Sequence, residues 1–171
     1  MSTTVWYLEM TAPEELDPAP APRENVEARR AEIPLGTLNE FFYRAVGGPW
    51  KWTDRLVWSP EEWQRRTEAP NVRLWLLYEA GTPAGYCEME VTPEGGGEIV
   101  YFGLLPQFTG RGLGKYFLTE CVRRVWDLVD EAGEGTKRRV WLHTCTDDSP
   151  HAKRNYEARG FRLYRTELEK E

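Results

Sequence analysis

EIVYFGLLPQFTGRGLGK, residues 98–115, decides how the rest of the chain is read. Its first half has the composition of a buried strand, and Pro106 stops that strand. Gly110, Gly112 and Gly114 then turn the chain into a long amphipathic stretch. A strand that ends in a glycine turn and feeds a helix start gathers unpaired N–H groups and the positive end of the helix dipole at one point. The stretch therefore predicts an anion cradle for a phosphorylated ligand.

Three phosphate loops compete for these residues. Aligning Gly114-Lys115 with a G-x-x-x-x-G-K-[ST] loop puts Thr109 at the first glycine and Tyr116 at the metal-binding hydroxyl, which disfavours a nucleotide hydrolase. A G-x-G-x-x-G fingerprint fails because the third glycine comes one residue early and Lys115 occupies its place, with no parallel βαβ unit around it. A third pattern, [Q/R]-x-x-G-x-[G/A], fits as Gln107-Phe108-Thr109-Gly110-Arg111-Gly112.

The 171 residues suit one domain with a sizeable core. No apolar run is long enough to cross a membrane and no secretory leader is legible at residues 1–10, so a cytoplasmic protein without membrane contact is expected. Cys87, Cys121 and Cys145 lack metal-knuckle spacing, and reduced thiols with no metal are the expectation. A net charge of −6 argues against nucleic acid as a partner. Residues 1–106 carry 9 Lys/Arg against 17 Asp/Glu, while residues 107–171 carry 13 against 11. The half with the glycine loop is thus the less repulsive to an anion, and the acidic half suits a cationic amine.

Outward from the loop, a strand is expected at residues 5–10, followed by a connector with four prolines between Pro13 and Pro22. Residues 1–23 are assigned to this strand and connector, docked on a domain at 24–171. A strand-like pattern at 25–33 leads to a helix over 35–46 that opens at Pro34, and a second helix starts at Ser59-Pro60-Glu61-Glu62. Between them Trp50, Trp52 and Trp58 stand within nine residues. They either wall a pocket or pack the connector onto the core. Strands at 72–78 and 84–91 form a hairpin, and a turn over 92–97 completes a three-stranded meander with the strand at Glu98. Tyr86, Glu88 and Glu90 share one face of the middle strand. After a helix over 113–132 come a strand at 138–144, a helix from Ser149-Pro150 and a strand at 162–168. The order implies an α/β (α+β) fold with a mixed sheet.

Two segments, EIVYFGLLPQFTGRGLGKYFL and SPHAKRNYEARGF, resemble the signatures of the GNAT N-acetyltransferase superfamily. The second fits [N]-x-x-A-x-x-x-Y-x-x-x-G-F through Ala152, Tyr156, Gly160 and Phe161, with Ser149 where asparagine is common. The resemblance covers residues 24–168. It implies the GNAT fold, with a mostly antiparallel central sheet, and an acyltransferase that moves an acetyl group from acetyl-CoA directly to a primary amine of a small molecule or peptide. A non-catalytic acyl-CoA-binding module is the alternative. By resemblance, Leu104, Leu105, Gln107, Phe108, Thr109, Gly110, Arg111, Gly112, Leu113, Gly114, Lys115 and Asn155 contact the cofactor. Leu104 N–H also serves as oxyanion donor, Tyr156 is the acid, and Glu98 or Glu88 is the base. Trp50, Trp52, Glu88, Glu90 and His143 are candidates for acceptor contact, and a Cys145-acyl intermediate would be the ping-pong variant. Pro106 and Gly103 predict a bulged strand that splays from its neighbour just before the loop. Exposed strand edges make a homodimer a further expectation.

Overall fold

β-branched and aromatic residues alternate along the strands, and the helices carry apolar stripes that must cover the two faces of the resulting sheet. The computed structural model describes residues 2–93 and 95–170. Its strands are β1 (Ser2–Met10), β2 (Val26–Arg30), β3 (Val72–Glu79), β4 (Thr82–Val91), β5 (Gly97–Leu104), β6 (Val140–Cys145) and β7 (Arg162–Lys170). They form one sheet in the order β2-β3-β4-β5-β6-β1-β7, antiparallel except where β5 meets β6. The helices are α1 (Gly36–Gly47), α2 (Pro60–Glu68), α3 (Leu113–Ala132) and α4 (Ala152–Ala158). Among the described residues none is long and apolar enough to cross a membrane. The turn expected over 92–97 contains Glu94, which lies outside the described residues.

One face of the sheet packs Leu8, Met89 and Ile99 against Phe117, Cys121 and Val125 of α3, with Tyr156 of α4 at its border. The other face packs Leu74, Leu76 and Tyr86 against Phe42, Tyr43 and Val46 of α1 and Trp63 of α2. The N-terminal strand is interior: β1 pairs with β6 along Val5–Met10 and with β7 on its other edge, burying Val5, Leu8 and Met10.

Two local expectations are revised. Helix α1 begins at Gly36 rather than at Pro34, because its first amide is capped from outside: Gly36 N–H donates to Gln64 Oε1 at 2.7 Å. The bulge in β5 falls at Val100, since Glu88 opposes Tyr101 while Met89 opposes Ile99. Gly103 serves close approach instead. A Cβ there would stand 2.4 Å from Val46 Cγ1, so α1 packs directly on the strand backbone. Helix α2 follows its sequence signals, with Ser59 and Glu62 exchanging the two bonds of a capping box.

A buried charge network ties α2 and its preceding connector to β4. Glu88 is fully buried; Arg55 donates to its two oxygens at 2.8 and 2.9 Å, Arg66 at 2.9 Å and Asn39 Nδ2 at 2.8 Å. Arg66 also holds Glu90 at 2.7 Å. Burial alone would raise the pKa of Glu88, but the hydrogen bonds and charge of Arg55, then of Arg66, outweigh it and bring it to about 2. Glu88→Ala leaves Arg55 without its counter-charge and is expected to cost about 3–5 kcal/mol in chemical denaturation at pH 7. Because the folded-state pKa is depressed, this stabilisation is present above the ordinary glutamate range and is lost as pH falls toward about 2. A variant as stable as the parent at pH 7 would contradict that account.

Candidate active site

The site begins where two parallel strands part. β5 and β6 pair only through Gly97 with Val140 and Glu98 with Trp141, and beyond those two rungs they diverge. The separation starts well before Gly103, the position to which the sequence assigned it. A cavity of about 1140 Å³ fills the wedge between them, reaching from the start of α3 and from α4 to the connector after α1.

At one end lies the glycine loop. Gly110 and Gly112 have φ of +75° and +79°, a backbone conformation that favours glycine. A Cβ at Gly110 would meet nothing, and at Gly112 only Pro22 at 4.0 Å. No side chain caps α3, so its first-turn N–H groups stay open toward the cavity. Leu105 N–H donates to Ala84 O. Ladder alternation then turns the N–H and C=O of Leu104 to the opposite edge, facing the wedge. Asn155 donates weakly to Gly114 O at 3.4 Å, while its buried Oδ1 has no partner.

Of the candidate cofactor contacts, Leu104, Thr109, Gly110, Gly112, Leu113, Gly114, Lys115 and Asn155 line the cavity. Leu105, Gln107, Phe108 and Arg111 do not. Leu105 joins the α1 side of the core and Phe108 the α3 side. Arg111 donates to the buried carboxylate of Glu79 at 2.8 Å, which Arg23 also grips at 2.5 Å. The loop is thereby latched to β3 and to the proline-rich connector.

Tyr156 stands in the wedge with an edge-on contact to Phe102 at 6.3 Å, is 7% exposed and makes no side-chain hydrogen bond among the described residues. Burial pushes its pKa well above the usual phenol range. Glu98 sits at the last rung before the strands part, 8% exposed and unpaired among the described residues, and it does not line the cavity. Burial first, then the neighbouring charge of Glu90, raise it to about 7. Glu88 and Glu90 lie away from the cavity. Their oxygens are held by Arg55 and Arg66, which corrects the expectation that Glu88 acts as base or that either contacts acceptor.

At the other end Trp50, Trp52 and His143 line the cavity, as does Cys145, whereas Trp58 packs on Arg55 and Trp63. His143 is reached by solvent at the cleft mouth, yet crowding by surrounding protein lowers its pKa below the ordinary imidazole value. Three groups that the sequence did not single out complete this end. Asp54 accepts from Tyr101 Oη at 2.6 Å, and Asp148 accepts from Trp52 Nε1 at 3.2 Å. Asp54 and Asp148 sit in segments rich in recognisable signals, but nothing local says that both line one cavity, 94 residues apart in the chain.

A sequence-family profile described as the Acetyltransferase (GNAT) family matches residues 37–161. The chain belongs to this family. Solved structures agree on the GNAT fold. A GCN5-related N-acetyltransferase from Sphaerobacter thermophilus superposes with a TM-score of 0.65 at 23% identity, covering 96% of this chain and 49% of that one. An aminoglycoside acetyltransferase, meta-AAC0020, from an uncultured soil metagenomic sample gives 0.56 at 14% identity, over 78% of this chain and 86% of that one. The ribosomal-protein-S18-alanine N-acetyltransferase from Escherichia coli gives 0.54 at 16% identity, over 80% and 77%. The chain spans only 60%, 49% and 63% of the first three structures it matches. A search of curated proteins finds no match.

The aromatic wall depends on one glycine. A Cβ on Gly47 would stand 2.2 Å from Trp52 Cε3, so the indole lies flat on the end of α1. Gly47→Ala is expected to push Trp52 off Tyr101 and to destabilise the fold by about 1–3 kcal/mol. Thermal denaturation reads the cost, and unchanged melting with an unchanged indole position in a crystal structure would refute it.

Proposed function

We propose that this protein transfers an acetyl group from acetyl-CoA to a primary amine by direct attack. The observation that carries the reading is the wedge itself. An open strand edge, a helix start with free amides and an unpartnered tyrosine converge on one cavity. The residues fit the cofactor. Gly110 and Gly112 leave room at the helix start, and the buried Asn155 Oδ1 lacks a partner that a bound donor would supply. The amides of Gly112 to Lys115 would hold phosphate and Leu104 would meet the pantetheine arm. Arg111 contributes by fixing the loop on Glu79.

Acetyl-CoA supplies an activated thioester: the amine nitrogen bonds to the acyl carbon as the carbon–sulfur bond breaks. Glu98, with a pKa of about 7, lies behind the last rung rather than in the cavity lining, so it would take the ammonium proton at neutral pH through an intervening water. The Leu104 N–H is a fixed donor for negative charge developing on the acyl oxygen. Tyr156, held protonated by burial, is suited to give a proton to the departing sulfur. Cys145 is half-buried and its pKa is raised by that burial, which makes it a poor thiolate nucleophile and favours direct transfer.

Calorimetric titration with acetyl-CoA is expected to show binding that Gly112→Glu abolishes. Tyr156→Phe is expected to keep that binding while lowering kcat by about 10²-fold or more. Retained binding with no turnover on any amine would favour a non-catalytic acyl-CoA-binding module. No binding at all would remove both readings. The rate should rise with pH through about 7 as Glu98 loses its proton, and Glu98→Gln should flatten that limb.

A further inference from the structure

The start of α3 is held by a segment outside the residues that the family profile matches, which begin at 37. Residues 17–23 run from the end of α4 across α3 to the glycine loop. Asp17 N–H donates to Arg159 O at 2.9 Å just past α4, and Ala19 N–H donates to Thr119 Oγ1 at 2.9 Å. Thr119 is fully buried and donates in turn to Lys115 O, in the first turn of α3, at 2.9 Å. Pro22 then passes the helix start, 4.0 Å from where a Cβ on Gly112 would stand.

Arg23 meets the loop next. Its Nε donates to Glu79 Oε1 at 2.5 Å and its Nη2 to Arg111 O at 3.4 Å, while Arg111 Nη2 donates to the same Glu79 oxygen at 2.8 Å. Among the described residues, every hydrogen bond from 110–112 to a segment outside the loop and α3 runs through Arg111. Glu79 is 6% exposed and its Oε2 is buried without a partner among the described residues, so the hydrogen bonds that orient this side chain come from the two arginines. Arg23, Glu79 and Arg111 do not line the cavity. They act on a bound ligand through the loop rather than by touching it. A loop with two glycines loses much freedom when it closes on a ligand, and one held beforehand loses less.

We infer that Arg23 and Glu79 are positioning residues for acetyl-CoA, acting through Arg111 to hold the amides of Gly112 to Lys115 in their binding arrangement. The connector before β2 thereby sets cofactor affinity in this chain. The inference rests on the proposed use of acetyl-CoA for its effect on affinity, but the order of the loop can be read without ligand.

The test titrates acetyl-CoA calorimetrically into the parent, Arg23→Met, Glu79→Gln and the double variant, and follows amide hydrogen exchange at residues 109–113 in each without ligand. Each single variant is expected to raise Kd by about tenfold at unchanged stoichiometry, because a folding defect removes competent molecules whereas a loosened loop weakens every one of them. Exchange at 109–113 should quicken by about tenfold in both. The double variant should lose no more affinity than Glu79→Gln alone, since both changes break one network. Arg23→Lys, which keeps the charge and a donor, should recover part of the loss. Binding by the parent with Kd unchanged in both single variants, or a double variant whose loss is the product of the two singles, would overturn the inference while leaving the proposed transfer standing. No binding of acetyl-CoA by the parent would overturn the transfer and the effect on affinity together. Faster exchange in Arg23→Met would then still support the held loop, and unchanged exchange would overturn that as well.

Discussion

Two rungs of parallel ladder, Gly97 with Val140 and Glu98 with Trp141, hold β5 to β6, and the site exists because the ladder stops there. Below the stop, Gly97 lies so close to α3 that a Cβ would stand 2.6 Å from Val125 Cγ2, which seats the strand on the helix. Above it, the bulge at Val100 bends β5 away. β6 is held in place from its other edge, where β1 pairs along Val140–Cys145. Backbone groups that a continuous sheet would satisfy are therefore left facing a cavity. A ligand with hydrogen-bonding groups along its length is what such an edge accepts.

The electrostatics follow from which carboxylates are paired. Glu88 and Glu98 are both buried on the same face of adjacent strands, yet their pKa values move in opposite directions, to about 2 and about 7. Arg55 and Arg66 bond Glu88 directly, whereas at Glu98 burial and the like charge of Glu90 outweigh the charges of Arg66 and Arg55. The arginine network thus balances charge within the protein and leaves a single glutamate at the vertex able to exchange a proton near pH 7.

The proline-rich connector belongs to this arrangement. Arg23 at its end shares Glu79 with Arg111, and Ala19 N–H donates to Thr119 Oγ1 on α3 at 2.9 Å. The glycine loop gains from these contacts an orientation that its own flexible backbone would not fix. A segment with no secondary-structure signal of its own therefore braces the loop that starts the longest helix.

Residues 98–115 and 149–161 were enough to read the family, the strand–loop–helix unit and Tyr156 on a short helix, because those signals are local: a proline stop, glycines at fixed spacing, an amphipathic period. The capping box at Ser59 and the meander of β3, β4 and β5 were legible for the same reason. The interior position of β1 was not, since its alternation is satisfied by burial in any part of a sheet. Nor could the sequence say that Glu88 bonds Arg55 and Arg66 while Glu98 bonds neither, as the partners come from an irregular connector and from a helix. Local periodicity and turn chemistry are written in neighbouring residues. The open edge, the pairing of charges and the placing of Asp54 and Asp148 on one cavity depend on which distant segments the sheet order brings together, and only the tertiary structure decided that.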